Sequence, residues 1–204
     1  MPLVDHIDQI IYINLDSRQD RRELFEAEMV SHDLPYERFP AIPHDPGIVG
    51  CGKSHLAVLK MAKERGNRYT LIMEDDFVFL KDKDEVNADI DRLFESGVAF
   101  DVCFISYGLY QSEPVEGHPF LTRVLEAQTA SGYIVAHHYL DTLIALYEEA
   151  MPMLEITGEH WHYANDQVWK RLQLVDRWIC FTDRIGRQRP GFSDNSKTWF
   201  DYDV

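Results

Sequence analysis

Apolar positions along the chain fall into two alternating rhythms. Residues 10–15 (IIYINL) are a run of β-branched and large apolar side chains, the composition of a buried strand. Directly afterwards the period changes. Leu24, Phe25 and Met29 recur at roughly helical spacing, the polar loop 16–20 offers N-caps, and Leu34-Pro35 ends the run. Residues 36–42 predict a short second strand, and Pro43, Pro46, Gly47 and Gly50 a loop. Residues 53–65 predict a helix with Leu56, Leu59 and Ala62 on one face and Gly66-Asn67 as its stop. Residues 69–73 predict a strand that runs straight into Glu74-Asp75-Asp76. Val86, Ile90, Leu93 and Phe94 mark a further helix, as do Leu140, Leu143, Ile144 and Tyr147, while 102–106 and 178–181 read as strands. The segment between Gly108 and Pro119 matches no pattern.

Strands alternating with helices predict an α/β fold: one largely parallel sheet flanked by helices, spanning residues 1–204 as a single domain with a mobile tail at 184–204. Such sheets bind ligands at the carboxyl ends of their strands. Both Asp16-Ser17-Arg18 and Glu74-Asp75-Asp76 fall at such ends.

Composition narrows the function. The longest stretch without formal charge, 127–140, is shorter than the roughly 20 apolar residues that cross a bilayer. The first residues lack the basic, apolar and small-residue order of a secretory signal. Three cysteines cannot all pair, and Cys103 and Cys180 sit in apolar runs, which predicts free thiols and a reducing, cytoplasmic setting. A formal net charge of -15 argues against nucleic acid and anionic membrane as partners. Against that background two arginine clusters stand out, Arg18, Arg21 and Arg22 near the start and Arg184, Arg187 and Arg189 near the end. Each suits either a small anion or salt bridges to the abundant carboxylates.

Glu74-Asp75-Asp76 is the central chemical signal. Three adjacent carboxylates repel one another and need water or a cation. Hard oxygen ligands suit Mg²⁺ or Mn²⁺, which at diphosphate sites share their shell between carboxylates and phosphate. A solvated acidic turn is the plainer alternative. A rival motif lies upstream: residues 47–54 match G-x-x-x-x-G-K-[ST], the phosphate-cradling loop of nucleoside triphosphatases. That loop needs a buried strand immediately before it, and Pro43-His44-Asp45-Pro46 cannot supply one. Among the aromatics, His160-Trp161-His162 has no third metal ligand at useful spacing, whereas Trp161 is able to stack on a sugar ring. Asp166 opens the apolar pattern Val168, Trp169 and Leu172, so it reads either as a helix cap or as the carboxylate base that takes a proton from an acceptor hydroxyl.

Several blocks taken together resemble glycosyltransferase family 25, the lipooligosaccharide and procollagen galactosyltransferases. They are Ile11-Tyr12-Ile13-Asn14-Leu15 with Arg18, Asp20, Arg21 and Arg22; Val49-Gly50-Cys51-Gly52-Lys53-Ser54-His55-Leu56; Leu71-Ile72-Met73-Glu74-Asp75-Asp76; Ala130-Ser131-Gly132-Tyr133-Ile134-Val135; and Arg189-Pro190-Gly191-Phe192-Ser193-Asp194-Asn195. The resemblance implies a GT-A type nucleotide-binding domain and inverting transfer of a hexose, commonly galactose, from a UDP-sugar to a hydroxyl of a glycan or glycoprotein. It implies a donor site at Asn14, Leu15, Arg18, Arg22, Ser54, His55, Glu74, Asp75, Arg189 and Ser193. Asp76 and Asp194 would hold Mn²⁺ or Mg²⁺, with Asp166 as base. Glu74 departs from the aspartate common at this position. Two other readings stay open, a P-loop phosphotransferase and a GT-A domain that binds nucleotide or glycan without turnover.

Overall fold

A computed structural model describes residues 3–193 and 198–201. After a short 3-10 turn (Leu3–Asp5), the elements run β1 (Gln9–Asn14), α1 (Gln19–Ser31), β2 (Glu37–Pro40), α2 (Gly47–Arg65), β3 (Tyr69–Glu74), β4 (Phe77–Phe79), α3 (Lys83–Glu95), β5 (Val102–Pro114) and β6 (Leu121–Ala136). There follow α4 (Leu140–Thr157), three single turns α5 (His160–Tyr163), α6 (Asn165–Val168) and α7 (Lys170–Gln173), then β7 (Trp178–Phe181), β8 (Gly186–Gln188), β9 (Gly191–Ser193) and β10 (Thr198–Phe200).

The central sheet has the order β2-β1-β3-β6-β5-β7. Strands β2, β1, β3, β5 and β7 share one direction, and β6 opposes its neighbours. The sheet is therefore largely parallel, as expected, with one reversed strand at its centre. Ile11 and Ile13 of β1 enter a core shared with α2 and α4, while Ile10 and Tyr12 enter a second core with α1 and α3. Covering both faces explains why these strands read as unbroken apolar runs. The featureless stretch after Gly108 is the outer half of β5, which pairs with β6 as a long antiparallel ribbon whose β5 side is exposed.

The helix expected over 53–65 begins six residues earlier, at Gly47. The G-x-x-x-x-G-K-[ST] stretch is thus the opening turns of α2 rather than a loop that wraps a phosphate, and residues 41–46, not a buried strand, lead into it. That corrects the P-loop phosphotransferase reading. Glycine is a poor helix former, and packing explains its presence here. A Cβ at Gly50 would lie 2.4 Å from Ile42 O, a backbone atom that cannot rotate away. Gly50→Ala is expected to cost about 1–3 kcal/mol, the usual penalty of overpacking. A lowered urea midpoint at constant slope checks this, and an unshifted midpoint would show that the loop yields.

Candidate functional site

The carboxyl ends of β1 and β3 lie side by side, pairing Ile13 with Glu74, so the first loop faces the acidic triplet. β3 hands over to β4 within three residues, and the turn between them carries Asp75 and Asp76, both buried. Arg21 Nη1 donates to Asp75 Oδ1 and to Asp76 Oδ2, each at 3.0 Å. Asn14 is buried and donates through Nδ2 to Asp75 Oδ2 at 2.7 Å, while its Oδ1 accepts from Arg38 Nε at 2.9 Å. From the other side β8 pairs with β4. This places the Gln188 amide 3.3 Å from Asp76 Oδ2 and the Arg189 backbone N–H on Asp76 O at 2.6 Å.

One oxygen of this cluster is left over. Asp76 Oδ1 is buried with no hydrogen-bond partner among the described residues. Burial, with Glu74 and Asp75 nearby, pushes the Asp76 carboxyl up to about 7 against the opposing pull of Arg21. A buried carboxylate oxygen without a donor is costly, and it suits a cation bound at that atom. The residues present therefore fit a hard divalent metal at Asp76 Oδ1, with Oδ2 kept by Arg21 and Gln188.

The other residues named from sequence are placed as follows. Of the first arginine cluster, Arg21 reaches the triplet, whereas Arg18 pairs with Asp20 and Arg22 with Glu26. Arg21 was absent from the expected site. The signal was present, because Arg21, Phe25 and Met29 are four apart and form the inward stripe of α1. Leu15 follows β1 and accepts Arg18 N through its carbonyl at 2.9 Å. Ser54 is fully buried; its hydroxyl donates to Gly50 O at 2.7 Å and accepts from Ile42 N at 2.8 Å, which holds α2 to the preceding loop. His55 is equally buried, with Nε2 3.0 Å from Glu74 Oε1 and Nδ1 3.0 Å from the Tyr133 hydroxyl. Both support the site from beneath. Burial would raise the Glu74 carboxyl, but His55 holds it below its ordinary value. Arg189 Nη2 stands 3.6 Å from Glu28 Oε2. Ser193 closes β9, but its side chain, like all of Asp194, lies outside the described residues. Within the expected tail, 186–188 are paired with β4.

Asp166 lies in the first turn of α6, where Ala164 is the cap residue and makes no side-chain bond. The cap reading is corrected: the Asp166 carboxylate instead accepts Thr129 N at 3.3 Å through Oδ2 and Gln167 Nε2 at 3.3 Å through Oδ1. Burial raises its pKa, opposed by those two donors, with Glu74 adding to the rise. Thr129 holds φ at 83°, a conformation that a β-branched residue rarely adopts, and so aims its N–H at this carboxylate. Nearby, Trp161 is 69% exposed on the single turn α5.

No family model matches the chain, and no curated protein matches its sequence. Solved structures share its fold. A glycosyltransferase involved in glycosylation of the major capsid of PBCV-1 aligns with a TM-score of 0.52 at 10% identity, over 93% of this chain and 95% of that one. A crystal structure of a protein from STIV aligns at 0.50 and 12% identity, over 94% and 92% of the two chains. The glycosyltransferase GlyE of Streptococcus pneumoniae aligns at 0.51 and 10% identity, over 86% of this chain but 45% of that one. The chain therefore has the α/β fold of glycosyltransferase domains, of the GT-A type. None of its described helices is long and apolar enough to cross a membrane.

Proposed function

We propose that this protein is a glycosyltransferase of the family 25 kind, moving a hexose from a UDP-sugar to a hydroxyl of a glycan or glycoprotein with inversion. The observation that carries the reading is the buried Asp75-Asp76 pair at the carboxyl edge of β3, bridged by Arg21, with Asp76 Oδ1 free to take a cation. Nucleotide-sugar chemistry places negative charge at this position, since the departing group is a diphosphate. Mn²⁺ or Mg²⁺ bound at Asp76 would supply charge neutralisation to that leaving group.

The chain's own residues divide the remaining work. Asn14 and Arg38 hold the first loop against Asp75, so the floor of the donor site is set before ligand arrives. Arg21 keeps the two carboxylates together and places positive charge where the diphosphate develops negative charge. Asp166, half-buried and raised in basicity by partial loss of water, accepts the acceptor hydroxyl's proton. In inverting transfer the activated oxygen attacks from the face opposite the leaving group. Arg189 follows the strand that pairs with β4 beside Asp76 and would serve the donor side. Trp161 offers an exposed aromatic face to the acceptor sugar.

Thermal denaturation with a panel of nucleotide sugars tests the reading. A UDP-sugar at a hundredfold excess over its Kd is expected to add about 2.7 kcal/mol with Mn²⁺ present. For a chain of this size that raises Tm by roughly 5–10 °C, and a chelator should remove most of the gain. No stabilisation by any nucleotide sugar, with or without metal, would overturn the proposal. Stabilisation without transfer to any acceptor or to water would leave a binding domain.

A further inference from the structure

The acidic triplet does not act as one unit. Asp75 and Asp76 turn to Arg21, whereas Glu74 joins a separate group with Cys51 and His55. Cys51 and His55 are four apart on α2 and so share a face. Their ligand atoms and one Glu74 oxygen all lie within 4.8 Å of one another. Glu74 Oε1 is 3.5 Å from Cys51 Sγ and 3.0 Å from His55 Nε2.

The two separations from Glu74 are close to a known geometry. A tetrahedral zinc ion with bonds of about 2.3 Å to sulfur and about 2.0 Å to nitrogen and oxygen sets its ligand atoms roughly 3.3–3.5 Å apart. Shifts of a few tenths of an ångström would seat such an ion between Glu74 and each partner. The outer ring nitrogen of His55 is engaged by the Tyr133 hydroxyl at 3.0 Å, the type of contact that fixes a ligating imidazole's tautomer and orientation. A thiol, an imidazole and a carboxylate together select Zn²⁺ over Mg²⁺ or Mn²⁺, which prefer oxygen. Asn165 supplies an independent observation. It is 2% exposed, its Oδ1 stands 3.9 Å from Cys51 Sγ, and its Nδ2 has no partner among the described residues. An unsatisfied amide beside the thiol leaves hydrogen-bonding capacity for a fourth, non-protein ligand.

We propose that Cys51, His55 and Glu74 are the three protein ligands of a Zn²⁺ site separate from the hard-metal position at Asp76, with water as the fourth ligand beside Asn165. Binding releases the Cys51 thiol proton to solvent. The thiolate and the carboxylate then neutralise the ion's two charges, and the imidazole ligates as a neutral base. The ion would clamp the first turns of α2 to the end of β3, fixing the strand end from which Asp75 and Asp76 project.

Cobalt(II) substitution of the full chain tests this with a readout independent of transfer. One equivalent of Co²⁺ is expected to produce a sulfur-to-cobalt charge-transfer absorption that Zn²⁺ abolishes by displacement. Cys51→Ser should lose the band with an unchanged circular dichroism spectrum, whereas Cys103→Ser and Cys180→Ser should keep it. Tyr133→Phe should keep the band and weaken cobalt affinity by about 10- to 100-fold. The proposal is overturned by a wild-type protein without the band, by a band that survives Cys51→Ser, or by unchanged cobalt affinity in Tyr133→Phe. Because no nucleotide sugar is involved, this outcome is distinguishable from failure of the donor reading.

Discussion

Asp166→Asn is expected to lower glycosyl transfer by about 10²- to 10⁴-fold, the range typical of losing a positioned proton acceptor. Donor affinity and the fold should persist, because an asparagine oxygen can still accept the Thr129 N–H that holds Oδ2 at 3.3 Å. Only the ability to carry a proton is removed. Burial makes Asp166 a stronger base than a solvated aspartate, and the sign of its pH dependence follows. The active form is the ionised one, so transfer should fall as pH drops through a pKa above the ordinary aspartate value of about 4. Initial rates at saturating donor, measured for both proteins across pH, check the assignment. Full activity in Asp166→Asn would leave this carboxylate as no more than an anchor for the strained backbone at Thr129.

The second large effect is expected at Asp76. Asp76→Asn should abolish the metal-dependent part of UDP-sugar binding while the fold survives, since the replacement keeps the size of the side chain and Arg21 retains Asp75 at 3.0 Å. The reason lies in the division of labour between the two oxygens. Oδ2 is committed to Arg21 and Gln188, whereas Oδ1 is the atom left for a cation. An amide at this position holds a divalent ion far less firmly than a carboxylate, because it carries no net charge to offset the ion's. Titration calorimetry of UDP-sugar with and without Mn²⁺ reads the effect directly. Affinity equal to wild type in the presence of metal would remove Asp76 from the donor site.

The sequence by itself determined the order of β1, α1, β2, α2, β3, α3, β5, α4 and β7, though not the reversed strand β6 or the short strands β4 and β8 to β10, because hydrophobic periodicity is a local property set by burial of one stripe or two faces. It also located the acidic triplet at a strand end, where the apolar run of β3 stops, but did not show that Asp75 and Asp76 stay buried there against Arg21. Other features depended on contacts between residues far apart. The start of α2 at Gly47 was illegible because its glycines disfavour helix, and only close packing explains them: a Cβ at Gly52 would meet Met151 Sδ at 2.1 Å. The outer β5 ribbon was invisible because its side chains face solvent and leave no apolar pattern. Three arginines near α1 were equivalent in composition, and the inward stripe through Phe25 and Met29 selected Arg21. The split of the triplet was likewise a tertiary decision. Glu74 turned to Cys51 and His55 while Asp75 and Asp76 turned to Arg21, because a strand end can aim adjacent side chains at different neighbours and chain order says nothing about which neighbours the fold brings there.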